Sequence, residues 1–96
     1  MTPSETYRMQ GKVVLRRIGE DRLLVPVSGD VARESCVFPV NETGEFIWKS
    51  FTQGQTLDET AQALAAEFAV APEEAQADCR AFADELLAHR LLEAVE

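Results

Sequence analysis

The chain has 96 residues, 46% of them hydrophobic and 27% charged, with 9 Lys/Arg against 17 Asp/Glu for a formal net charge of -8. That balance is too apolar for a disordered chain, and no run approaches the roughly 20 apolar residues of a membrane span. The charge is uneven: residues 1–40 carry six cations against five anions, whereas residues 41–96 carry three cations against twelve anions. An acidic second half repels a phosphate backbone, so nucleic acid is not an expected partner, and neither is a membrane. The N-terminus lacks the apolar core of an export signal, which points to the cytoplasm.

The length supports one domain over residues 1–96, with residues 1–10 allowed for as a flexible arm. The first half reads as strands. "KVVLRRI" (Lys12 to Ile18) is rich in β-branched residues, and "GED" follows it as a turn. "RLLVPV" (Arg22 to Val27) is the second strand, with Pro26 expected at a strand end or an edge position because it lacks an N–H. After a polar connection, "SCVFPV" (Ser35 to Val40) is the third strand. Three strands in a meander leave the third on an edge.

The second half reads as three helices. Asn41 is a suitable N-cap, and Thr43, Phe46, Ile47, Ser50 and Phe51 recur at helical spacing. Trp48 lies off that stripe and reads as a shoulder of the core. Gly54 ends the first helix, and "TLDE" is a capping box opening the second, with Thr56 as the cap and Glu59 reaching back. Leu57, Ala61, Leu64, Ala65 and Phe68 form its stripe. Pro72, with Glu73 and Glu74 behind it, opens a third helix whose stripe is Ala75, Cys79, Phe82 and Leu86. His89 and Arg90 close that helix, and "LLEA" at 91–94 is compatible with a short terminal strand. The fold class is therefore α+β, a three-stranded antiparallel sheet followed by three helices.

Catalytic signatures are missing. The sequence has no G-x-S-x-G, glycine-rich phosphate loop or HExxH. The paired acids Asp58/Glu59 and Glu73/Glu74 occupy helix starts, where the dipole favours them without catalysis. Two cysteines 43 positions apart and one histidine are too few for a structural zinc site, so Cys36 and Cys79 read as small buried thiols. No catalytic residue, metal or cofactor is expected, and the chain is not expected to be an enzyme.

"VNETGEFIWKSF", then "GQTLDETAQALAAEF" and "APEEAQADCRAFADELLAHRLLE", together resemble the PqqD family of pyrroloquinoline quinone biosynthesis protein D and its relatives. The matching positions are Asn41, Gly54, Thr56, Leu64, Phe68, Asp78, Phe82, Leu86, Leu91 and Leu92, and the likeness runs from about Val13 to Glu93. The resemblance implies a winged-helix-like fold. It also implies a non-catalytic peptide chaperone that holds the leader of a ribosomally made precursor peptide and presents it to a modifying enzyme, often a radical S-adenosylmethionine protein. In that family the leader is similar to a fourth strand on strand three, beside helix three. Carried onto this sequence, the binding residues are Ser35, Cys36, Val37, Phe38, Pro39 and Val40 on the strand, with Asp78, Cys79, Phe82 and Leu86 on the helix. Alternation puts Cys36, Phe38 and Val40 on one face and Val37 and Pro39 on the other, and leaves open which face meets the helices. The acidic third helix points to a ligand with basic residues flanking its apolar anchors. The competing expectation is an interaction or dimerisation subunit of a modification complex, monomeric or weakly homodimeric, whose strand edge is covered by the N-terminal arm or by a second copy.

Overall fold

A computed structural model describes residues 6–9, 11–28 and 37–95. In chain order the elements are β1 (Thr6–Met9), β2 (Lys12–Ile18), β3 (Asp21–Ser28), β4 (Phe38–Val40), α1 (Glu42–Thr52), α2 (Leu57–Phe68), α3 (Pro72–Ala88) and β5 (Leu92–Val95). Strands β2, β3 and β4 form an antiparallel sheet in that order. Three helices follow, giving the α+β, winged-helix-like architecture that the sequence predicts. Among the described residues no helix is long and apolar enough to cross a membrane.

Local chemistry accounts for the boundaries. Asn41 accepts the Gly44 N–H at 2.7 Å and starts α1. Thr56 and Glu59 close a reciprocal capping box at 3.0 and 2.9 Å, satisfying two donors that the helix leaves orphaned. Gly54, with φ +91°, follows α1 in the left-handed region. Pro26 lies beyond Arg22–Leu24, the stretch of β3 that β4 pairs, and opposite Val13, where the β2 register is irregular. A missing N–H is tolerated at such a place.

Two observations differ from the sequence reading. Thr6–Met9, within the segment read as an arm, form β1, which pairs antiparallel with β5 in a second, two-stranded sheet. Tyr7 of β1 is buried, its ring 4.7 Å from that of Phe51. The third strand is shorter than the expected Ser35–Val40: β4 begins at Phe38, because only Arg22, Leu23 and Leu24 of β3 have partners in it. Ser35 and Cys36 lie outside the described residues. Ala69 at the end of α2 and Arg90 after α3 adopt left-handed conformations without being glycine.

The core gathers Leu24, Ile47, Trp48, Phe51, Leu57, Leu64, Cys79 and Leu86 between the sheet and the helices, with Leu91 and Leu92 closing it. Trp48 is inside, as expected. The buried Thr60 hydroxyl shares a 2.9 Å hydrogen bond with Ser50, so α1 and α2 meet without an orphaned polar group at that point.

Candidate functional site

The feature that stands out is a groove between β4 and α3. It encloses about 500 Å³ and is lined by Val37, Phe38, Pro39, Val40 and Asn41 on one side and Phe82, Glu85, His89 and Leu91 on the other. Among the described residues no strand pairs with the outer edge of β4. Thr6–Met9, the described part of the N-terminal segment, pairs with β5. A short edge with unpaired backbone groups therefore borders an apolar trough.

The open question of face is answered by packing. Phe38 and Val40 pack against the core, whereas Val37 and Pro39 are exposed. The Phe38 ring is 6.0 Å edge-on from Phe82 and 5.2 Å edge-on from His89, so three rings frame the trough. These separations fall within the range in which aromatic pairs attract beyond simple burial.

A close approach at Gly44 holds this frame together. A Cβ there would lie 3.1 Å from the Val40 Cβ and 3.3 Å from both the Asn41 Oδ1 and the Phe82 Cζ. The start of α1, the end of β4 and the middle of α3 thus meet where an added Cβ would require these neighbours to give by a few tenths of an ångström. The direct passage from strand to helix through Asn41 sets this junction.

The other residues expected at the site separate into two groups. Cys79 and Leu86 are fully buried in the core beneath the groove and do not line it. Burial, helped by the neighbouring Asp78 charge, pushes the Cys79 thiol up to about 11, so it is a packed, inert group. Asp78 is exposed and borders a second, adjoining compartment of about 320 Å³, lined by Asn41, Thr43, Gly44, Ile47, Ala81, Phe82 and Glu85 as well. The sequence reading missed Asn41, Glu85, His89 and Leu91 as lining residues. A signal for part of this set exists: Asp78, Phe82, Glu85 and His89 are spaced i, i+4, i+7, i+11 and share one helical face. The core stripe has the same kind of spacing but comprises Ala75, Cys79, Ala83 and Leu86.

A buried carboxylate braces the first turn of α1 against the sheet. Glu45 is 4% exposed and is paired with Arg17 and Arg22 at 2.5 Å each and with Lys49 at 3.0 Å. Hydrogen bonding from Arg17 foremost, with Lys49 and Arg22 adding to it against the cost of burial, holds the Glu45 carboxyl down to about 2. Arg17 and Arg22 lie directly opposite each other in the β2–β3 hairpin. Like charges in that position repel, and Glu45 neutralises them while tying the hairpin to α1.

The site is therefore an open strand edge of a winged-helix-like domain beside an aromatic trough. The sequence pattern of coenzyme PQQ synthesis protein D (PqqD) matches residues 23–92, and the chain belongs to the PqqD family. Two solved structures share the fold. One is TbiB1 in complex with the TbiA(beta) leader peptide: 24% identity over 90% of this chain and 94% of that chain, with a TM-score of 0.73. The other is lasso peptide synthetase B1 complexed with the leader peptide: 19% identity over 94% of this chain and 98% of that chain, with a TM-score of 0.75. No curated protein matches the chain in sequence.

Proposed function

We propose that this protein is a non-catalytic peptide-binding domain. It takes the leader of a ribosomally made precursor peptide as an added strand on β4 and presents it to a modifying enzyme, in pyrroloquinoline quinone biosynthesis or a related pathway. The observation that carries the reading is the unpaired β4 edge beside the groove formed with α3. Main-chain pairing supplies affinity, and pockets for alternate side chains supply register. Family membership and the two leader-bound structures of the same fold support it. The binding residues are then Val37, Phe38, Pro39, Val40, Asn41, Phe82, Glu85, His89 and Leu91, with Asp78 at the rim. Cys79 and Leu86 act only by supporting Phe82 from below. One domain over residues 1–96 is the unit of function, and its expected compartment is the cytoplasm.

The test is amide shift mapping with synthetic peptides from short reading frames encoded beside this chain's gene. Shifts are expected at residues 37–41 and along α3. Val37→Pro, at a position 48% exposed, removes the Val37 N–H and should weaken binding with little loss of stability. Shifts confined to α2 or the 19–22 turn would overturn the reading.

A further inference from the structure

The groove and its neighbour adjoin along α3, sharing Asn41, Phe82 and Glu85 in their linings. The two halves differ in chemistry. The larger is walled mostly by Val37, Phe38, Val40, Phe82 and Leu91, with Glu85 and His89 along its α3 side. The smaller lies between Asp78 and Glu85, and no cationic residue lines it. Among the described residues neither acid makes an ion pair, whereas Glu45 and Glu93 do. Val37 lines only the apolar half, and Thr43 and Gly44 line only the acidic one, so β4 runs from the apolar compartment toward the acidic one.

We propose that this pair of compartments selects a peptide with a Lys or Arg two residues N-terminal to a bulky apolar residue, the cation held between Asp78 and Glu85 and the apolar side chain among Phe38, Phe82 and His89. This rests on the strand-addition reading above and specifies its ligand class. Direction follows from pairing: a strand antiparallel to β4, the stabler arrangement per residue, enters at the acidic end and leaves at the apolar one. Spacing follows from geometry. Side chains on one face of a strand recur every second residue, about 7 Å apart. On α3 the larger compartment is lined by Phe82, Glu85 and His89 and the smaller by Asp78, Ala81, Phe82 and Glu85, an average offset of about four residues or ~6 Å at roughly 1.5 Å per residue, close to that repeat. Charge complementarity sets the sign, since an acidic ligand residue would face two carboxylates.

A phage-displayed random 12-residue library panned against the full chain tests this. Enriched peptides should carry Lys or Arg two positions before Leu, Ile, Phe or Tyr. A consensus peptide should lose roughly tenfold or more in affinity between low and high salt, as attraction between exposed charges is screened. Repeating the selection on the Asp78→Lys/Glu85→Lys double variant should replace the basic residue by Asp or Glu. Both positions are exposed, and circular dichroism checks that the variant is folded. Enriched peptides that shift residues 37–41 yet show no basic preference, or show it on the C-terminal side, would overturn the proposal while leaving strand addition intact. Enriched peptides that leave residues 37–41 unshifted would sink both.

Discussion

Glu45 shows how much one side chain can hold. Its folded pKa of about 2 lies below the roughly 4.3 of an unfolded glutamate, so the ionised form stabilises the fold at neutral pH. The contribution is complete above about pH 5 and is lost as the pH falls through 4 toward 2. Arg17 and Lys49 are more than half exposed, so solvent screening reduces the benefit to about 1–2 kcal/mol. Glu45→Gln should lower stability by about that much at pH 7, and urea titrations at pH 7 and pH 3 should differ less for the variant than for the parent. Gly44 makes the opposite point about intrinsic preference. Alanine would gain up to about 1 kcal/mol of helix propensity there, but its methyl group would press on Val40, the Asn41 cap and Phe82 together. Gly44→Ala should therefore lower the melting temperature and shift the Phe82 ring resonances. Neither role is visible in the sequence. Glu45 is one of twelve acids in the second half, and only the folded hairpin brings Arg17 and Arg22 to it.

Among the elements, those defined by local signals match their sequence expectations closely. The caps at Asn41 and Thr56, Pro72 opening α3 and the β-branched run of β2 each carry their own boundary, and each element lies where those residues place it. Elements that depend on a distant partner do not. β1 is four residues long and is ordered by β5, more than eighty positions away, so nothing in "TYRM" marks it as a strand. The face of α3 was half legible. Phe82 reads as part of the core stripe because Cys79 and Leu86 flank it at helical spacing, but the charged neighbours Asp78 and Glu85 share its groove-facing side. The exit from α2 offers an element-scale test. Ala69 takes φ +56°, where a Cβ costs roughly 1–2 kcal/mol, while glycine gives back about half of that in unfolded-state entropy. Ala69→Gly should raise stability by about 0.5–1 kcal/mol in denaturant unfolding, with the groove unchanged.

For the whole molecule, the order of burial separates what holds the fold from what serves the site. The helices and the inner face of the β2–β3–β4 sheet build the core, and the groove is the strip along which β4 and α3 meet without closing. The β1–β5 pair secures one end of that strip, since β5 follows directly on Leu91, which lines it. Tyr7 anchors the pair against Phe51, so Tyr7→Ala should cost about 3 kcal/mol or more, measurable by thermal or urea unfolding. The same pair has a mechanical consequence. Thr6 is registered with Val95 and Met9 with Leu92, so both ends of the described chain emerge at the same end of this ladder, joined by the Arg8–Glu93 ion pair across it. A force applied between the two ends loads its hydrogen bonds one after another, like a zipper, rather than all at once in shear. The first event under tension should therefore be the peeling of β1 from β5 at low force, loosening the Leu91 end of the groove before the three-stranded sheet and its helices come apart.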